Sequence, residues 1–445
     1  MGKPEALTLF DLPRKNGLAN KLNPEDRPVH DWYRFVLSFP PHLIREYLGK
    51  FGITSHQRVL DPFCGTGTTV VECKKNGIPV IGVEAHPMPW FASSVKLDWT
   101  PDPDRLLRHA RDVADNAHRM LRNDGIEDFP TAGNQRKLGK LRRLPAETHK
   151  LLLTNSISPI PLHKTLVLLE AINTHRNDEH HRHELLALAK ALVTSIGNLE
   201  FGPEVGVGLP KQDASVITVW LENVRVMAEN LEEVKHLASS HAHVHRGDSR
   251  KAAEYLEPRS IDVVFTSPPY PNEKDYTRTT RLESVLLDFV RTREDLRALK
   301  QGLIRSNTRN VYKDDTDNIW VAKHLEIQRI AKEIERRRIE LDKTSGFERQ
   351  YHRVATLYFG GMAQHLANLR RVLKPGARLG YVVGDQASYL RVMIRTGRLL
   401  ASIAESLGYE VESIDLFRTR LATATREQLR EEVVVLRWPE KAKGK

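Results

Sequence analysis

The sequence predicts an α/β protein: a mostly parallel sheet of the nucleotide-binding kind, interrupted by a long helical insertion. Three observations predict it. Short apolar runs end repeatedly at a polar or acidic residue, in RVLD (58–61), PVIGVE (79–84), VHRGD (244–248), IDVVFT (261–266) and RLGYVVGD (378–385). The first run leads through a glycine turn into a helix pattern, the unit that joins parallel strands. Between residues 101 and 240 strand patterns almost vanish, and apolar residues recur at helical spacing.

Composition narrows the class. The chain has 445 residues, 40% hydrophobic and 28% charged, which suits a soluble globular protein of more than one structural unit. No apolar run approaches the roughly 18 residues of a spanning helix. The start, MGKPEALTLFDLPRKNG, lacks an apolar secretory core, and Ala6 stands where a myristoylation signal wants Ser or Thr. Two cysteines, Cys64 and Cys73, with no CxxC or Cys/His zinc spacing, argue against a disulfide scaffold or a zinc finger and fit a reducing cytoplasm. Sixty-eight Lys and Arg against 57 Asp and Glu give a net charge of +11, which suits a polyanionic partner.

In chain order, residues 1–28 read as an extended polar arm. Pro41 can open a helix through Leu48. The strand at 58–61 ends in Asp61, and PFCGTGTT (62–69) makes a glycine turn. A helix follows to Asn76, with Gly77 as its stop, and then the strand ending in Glu84. Glycines let a ligand approach the backbone, and an acid about 20 residues on accepts from ribose hydroxyls. Position 70 is Val70, so the third glycine of a pyrophosphate cradle is missing. The site therefore suits an adenosine ligand without phosphates, such as S-adenosylmethionine. In 101–240 the helical stretches are 106–121, 183–196 and 216–231, with a basic run at 135–143 that either tracks phosphates or faces solvent. The histidines of THRNDEHHRH (174–183) lack metal-ligand spacing and read as an exposed connection; no metal site is expected. FGPEVGVG (201–208) reads as a glycine-rich loop. The strand edge at 244–248 offers Asp248 to an adenine amino group. Residues 326–343 read as a solvated helix, and Pro375-Gly376 as a helix stop before a strand. Residues 409–417 and 432–438 read as a closing hairpin, with a polar loop at 419–430 and a disordered tail at 441–445.

The chemistry concentrates at TSPPY (266–270). Two prolines cannot continue a central strand, so they fix a stiff turn at its carboxyl end. That turn presents the Ser267 hydroxyl, the Pro268 carbonyl, Pro269 and the Tyr270 ring together. An exocyclic amine of cytosine or adenine is a poor nucleophile, because its lone pair is delocalised. Bonds from its N–H groups to Ser267 Oγ and the Pro268 carbonyl favour a pyramidal nitrogen aimed at a sulfonium methyl, with Tyr270 stacking on the extruded ring.

DPFCGTGTT, the GVE strand, LKPG before a strand and TSPPY together resemble the amino-type DNA methyltransferases, and TSPPY is most similar to the cytosine-N4 branch. The resemblance covers about 29–100 and 245–438. It implies a Rossmann-like S-adenosylmethionine-dependent methyltransferase fold with a helical insertion. The catalytic unit would be 29–100 with 241–445, and 101–240 would be the insertion that reads the target, with 286–350 competing for that role. It further implies Asp61, Phe63, Gly65, Gly67, Thr68, Thr69, Glu84 and Asp248 as cofactor residues, and double-stranded DNA as substrate. A cognate restriction endonuclease is the implied partner; no membrane or metal is implied. SFPPHLI (38–44) resembles the family's methionine-contacting segment, which adds Phe39 and Pro40. The order, cofactor motif first, resembles the α-type arrangement, except that the insertion precedes the Asp248 strand. Adenine N6 and an RNA guanine amine remain alternatives. A cytosine-C5 enzyme needs a Pro-Cys nucleophile, whereas Cys64 follows Phe63 and Cys73 follows Glu72.

Overall fold

The computed structural model describes residues 22–34, 38–129, 140–174, 176, 178–201, 204–237, 240–272, 274–421 and 428–440. The readings of 1–21, of 130–139 within the basic run and of the tail at 441–445 lie outside these residues. The first half runs α1 (Pro41–Lys50), β1 (Val59–Asp61), α2 (Thr68–Lys75), β2 (Val80–Glu84) and α3 (Pro87–Lys96). Next come α4 (Pro103–Asn123), α5 (Pro159–Asn173), α6 (His181–Ala191), a small hairpin of β3 (Leu199–Phe201) and β4 (Val205–Val207), and α7 (Ile217–Val234). The second half holds β5 (Ala242–Arg246), β6 (Ile261–Thr266), α8 (Arg293–Gly302), α9 (Leu325–Glu340), α10 (Tyr351–Leu369), β7 (Leu373–Gly384), α11 (Thr396–Ser406), β8 (Glu410–Leu421) and β9 (Gln428–Arg437).

Seven strands form one sheet in the order β5-β2-β1-β6-β7-β9-β8. Pairings from β5 to β7 are parallel, and β9 runs antiparallel to both β7 and β8. Alternate side chains separate its two faces, as the two-residue period of a strand requires. Val59, Val263, Phe265, Val382 and Val433 enter one core with α1 to α7. Leu60, Val264, Val383 and Val434 enter the other with α9, α10 and α11. Helices on both faces explain why the strands read as near-continuous apolar runs.

The insertion is not a loose appendage, because its buried residues continue the first core without a break. Its helices are fixed by buried polar groups as well. The Asp128 carboxylate caps the start of α7 by accepting the N–H groups of Val216, Ile217 and Thr218 at 2.8, 3.1 and 2.9 Å. The Lys164 ammonium, fully buried, pairs with Asp213 at 2.7 Å.

Five local expectations are corrected. The histidines near 180 are buried, not exposed: His180, His181 and His183 have 4, 9 and 0% of their surface accessible, and His183 Nε2 lies 3.0 Å from the Asp98 carbonyl. In the stretch read as a loop, Leu199–Phe201 and Val205–Val207 instead pair as antiparallel strands. The helix α9 is only half solvated: Ile327, Ile330, Ala331 and Ile334, at helical spacing, pack toward α10. Lys374 to Gly376 lie inside β7, and the preceding helix has already ended at Leu369. The polar stretch at 419–430 continues β8 and β9 up to Leu421 and from Gln428, where cross-strand ion pairs replace apolar contacts.

Candidate active site

The chain leaves β1 toward β2 on one side and returns at β6 on the other. Diverging connections at adjacent parallel strands open a cleft at their carboxyl ends. The glycine turn follows β1 there, and the Ser-Pro-Pro-Tyr turn follows β6. The two are tied directly: the Thr266 hydroxyl donates to Asp61 Oδ1 at 2.5 Å. Asp61 also accepts the Phe63 N–H at 3.2 Å, and burial pushes its pKa up to about 6. Beneath them Phe265 is buried against Tyr47 and Phe39, with ring centroids 5.1 and 6.2 Å away. Truncating that ring would cost about 3–5 kcal/mol.

Between the turns lies a cavity of about 320 Å³, the size of a small-ligand site. Of the sequence-predicted residues, Phe39, Phe63, Gly65, Thr68, Glu84, Asp248, Ser267, Pro268, Pro269 and Tyr270 line it. Pro40, Asp61, Gly67 and Thr69 do not, and each is explained by its place under the wall. Pro40 precedes α1 as its cap residue. Asp61 is spent on Thr266. Gly67 sits at φ 91°, where a Cβ would lie 3.0 Å from that of Ser93. Thr69 Oγ1 donates to the Phe265 carbonyl at 3.3 Å.

The glycine-turn end is built from backbone and buried bonds. The Cys64 N–H donates to the Val83 carbonyl at 3.1 Å. Glu84 accepts the N–H groups of Gly65 and His86, both at 2.8 Å, and burial pushes its pKa up to about 7. Lys96 is fully buried below and donates to the carbonyls of Thr66 and His30, each at 3.0 Å. No carboxylate ion pair reaches it among the described residues, and burial lowers its pKa to about 7. His86 accepts the Met88 N–H on Nδ1, so its proton sits on Nε2 and points to Thr280 Oγ1 at 2.9 Å. Burial lowers its pKa to about 3, which keeps the ring neutral. This end carries the acids Glu84 and Asp248, and among the described residues no Lys or Arg lines it. Such a donor set fits a cationic, phosphate-free adenosine ligand and disfavours a nucleotide phosphate.

Asp248 is held in place by a neighbouring side chain. Its carboxylate is engaged by Arg250, through the backbone N–H at 2.9 Å, Nε at 3.0 Å and Nη2 at 2.7 Å. Arg250 in turn pairs with Asp317 at 2.6 Å. The acid therefore lines the cavity as part of a fixed ion-pair chain, with its orientation set by Arg250.

At the other end, Ser267 Oγ donates to the Val382 carbonyl at 3.1 Å. A carbonyl can only accept, so the hydroxyl proton is committed and its lone pairs are left to accept. The Tyr270 ring lies against Gly384, where a Cβ would stand 3.1 Å from Cε2. Burial raises the Tyr270 hydroxyl pKa above its usual range, and that of Tyr276 to about 12. Lys274, Arg418, Arg420 and Glu431 complete this end, with Arg418 paired to Glu431 at 2.7 Å.

Sequence reading missed His86, Lys274, Tyr276, the 302–306 wall and the β8–β9 residues Phe417, Arg418, Arg420 and Glu431. His86 had a local signal, a polar cap before Pro87. The others reach the cavity only through tertiary packing.

The N6_N4_Mtase family model, described as DNA methylase, matches residues 13–88. The chain is similar to the Type II methyltransferase M.BsoBI of Geobacillus stearothermophilus, at 25% identity over 92% of this chain and 83% of that protein. It is 26% identical to the Type II methyltransferase M.AvaI of Nostoc sp. (strain PCC 7120), over 95% of this chain and 88% of that protein. Over 25% of this chain and 24% of that protein it is also 28% identical to a tRNA (guanine(10)-N2)-dimethyltransferase of Methanothermobacter thermautotrophicus.

Proposed function

We propose that this chain, which belongs to the amino-methyltransferase family and uses S-adenosylmethionine, methylates the exocyclic N4 amine of cytosine in duplex DNA. Its relatives over nearly the whole chain are Type II methyltransferases, and DNA amino-methylation is the coarser activity they support. The observation that carries the finer reading is the Ser267 hydroxyl, committed as donor to Val382 and so available as an acceptor beside the glycine-turn cavity.

S-adenosylmethionine supplies an electrophilic methyl. Glu84 would hold its ribose hydroxyls, with Phe39, Phe63, Gly65 and Thr68 around it. Ser267 Oγ and the Pro268 carbonyl accept the N–H groups of the target amine. That pulls the nitrogen toward a pyramidal geometry and orients its lone pair. Tyr270, wedged against Gly384, gives the flipped ring a fixed stacking face. No enzyme nucleophile is needed, and burial raises the Cys64 and Cys73 thiols well above their usual pKa. A restriction endonuclease blocked by this modification is the partner the reading implies.

The test is methyl transfer from labelled S-adenosylmethionine to duplex DNA and to tRNA in parallel, followed by nucleoside analysis. N4-methylcytosine in the DNA is expected. N6-methyladenine there would move the acceptor to adenine, and label confined to tRNA guanine would favour the RNA reading.

A further inference from the structure

Three cations line the Ser-Pro-Pro-Tyr end of the cavity among the described residues, and one differs from the other two. Arg418 and Arg420 both reach the Glu431 carboxylate, at 2.7 and 3.5 Å. The Lys274 ammonium makes neither an ion pair nor a hydrogen bond with any described residue. Lys274 is half-buried, and burial lowers its pKa, as it must for an ammonium drawn out of water with no acceptor in contact. Such groups ordinarily have a partner, so the three donors of this one are left for a ligand.

The backbone that carries this side chain is held on both sides. The Lys274 N–H donates to Asn272 Oδ1 at 3.4 Å, and its carbonyl accepts from Asn307 Nδ2 at 3.0 Å. Asn307 is fully buried beside Ser306 of the cavity wall, whose carbonyl accepts the Tyr389 hydroxyl at 3.1 Å. The next residue, Asp275, is buried too. It caps the short helix Tyr276–Thr279 through the Thr277 N–H at 3.0 Å and pairs with Lys300 at 2.9 Å. The nearby acids are thus engaged elsewhere, Asp275 by Lys300 and Glu431 by the arginines. A fixed backbone under an unpaired ammonium in a cavity suits contact with a ligand better than a structural role.

The chemistry of the two candidate bases says what that contact decides. Along one edge cytosine carries its amine, then N3, then the O2 carbonyl. Adenine carries its amine, then N1, then a C–H. An amine and a ring face are common to both, so a grip on those alone accepts either base. A donor placed beyond the ring nitrogen separates them, because it meets a carbonyl in cytosine and a C–H in adenine. With adenine the ammonium would stay desolvated and unpaired, the case in which polar sites discriminate most strongly. On the reading of this end as the acceptor site for cytosine N4, we infer that Lys274 donates to O2 of the flipped cytosine and selects that base against adenine. Its role is selection rather than acceleration, since a cation at O2 draws electron density from the ring and so from the amine nitrogen.

The test uses the full chain and two duplexes. One bears its methylation site, mapped beforehand by sequencing. In the other the target cytosine is replaced by an aminopyridine C-nucleoside, which keeps the amine and the ring nitrogen and has C–H in place of the O2 carbonyl. Lys274→Met and Lys274→Ala remove the charge from a half-buried side chain, and a thermal melt checks that the fold is unchanged. On the cytosine duplex both variants are expected to lower kcat/KM roughly 10- to 100-fold, mostly through KM. On the analogue duplex they are expected to come within about twofold of wild type, because the partner of the ammonium is already gone. Equal loss on both duplexes, as a phosphate contact or a packing role would give, overturns the assignment, as does no loss on either. A wild-type protein that modifies adenine rather than cytosine at the mapped site removes instead the N4 reading on which the assignment rests.

Discussion

The two ends of the cavity are built on opposite principles. The glycine-turn end is lined by two carboxylates and a neutral histidine, and its shape is held by backbone bonds from Cys64 and Gly65 and by the buried Lys96. The Ser-Pro-Pro-Tyr end opens among Lys274, Arg418 and Arg420, whose positions depend on side-chain pairs such as Arg418 with Glu431. One end suits a small cation held tightly; the other suits an extended polyanion that must enter and leave. Fixed backbone dipoles cost nothing to reorganise, whereas exposed charges steer a partner and are screened by salt. The Asp61–Thr266 bond joins the ends, so a ligand at one is placed relative to the other.

Substitutions that separate the two ends sharpen this contrast. The largest effect is expected at the acceptor turn. Ser267→Ala or Tyr270→Ala should lower the methylation rate about 100-fold or more, because the amine loses its positioning. Calorimetry should find S-adenosylmethionine binding nearly unchanged in both. Comparable losses in rate and cofactor affinity would show that the ends are not separable. Next comes Glu84→Gln, which removes charge-assisted bonds worth about 1.5–3 kcal/mol. Cofactor affinity should fall by roughly 10- to 100-fold, with DNA binding intact by gel shift.

A pH series gives a smaller but more specific effect. Burial raises the Glu84 carboxyl to about 7. Its contribution to folding stability is therefore full below the ordinary carboxylate range and is lost as the pH climbs to about 7. Ligand binding has the opposite sign, since only the ionised carboxylate accepts from both ribose hydroxyls. Cofactor affinity should therefore rise between pH 6 and 8 in the wild type and stay flat in Glu84→Gln; identical profiles would remove Glu84 from the ribose role. The smallest effect belongs to the mouth. Arg420→Ala should weaken DNA binding a fewfold and reduce its salt slope by about 1, as measured by fluorescence anisotropy. No change in slope would place the DNA backbone elsewhere.

How much of this was legible follows the same divide. Asp61, the glycine turn and Glu84 are close in sequence, and their spacing implies a strand, a turn and a second strand. Ser267 to Tyr270 announce themselves because two prolines cannot continue a strand. The mouth could not be read, because Arg418 and Glu431 meet only when β8 and β9 pair, and the polar stretch between them, 419–430, read as a loop. The buried histidines misled for a related reason: His183 is satisfied by the Asp98 carbonyl, 85 residues away. Asp248 lines the cavity, and Arg250, two residues on, pairs with its carboxylate, a contact that strand patterns do not reveal. The β3–β4 hairpin was hidden by its glycines, which weaken a strand pattern.

The central claim is that one cavity brings a methyl donor to an exocyclic amine gripped by Ser267. The most direct measurement is single-molecule sequencing of DNA from a methylation-free host expressing the protein, beside the same host expressing Ser267→Ala. The account predicts N4-methylcytosine in a defined sequence context with the wild type and none with the variant. Unmodified DNA with the wild type, or the same modification with both, would contradict it.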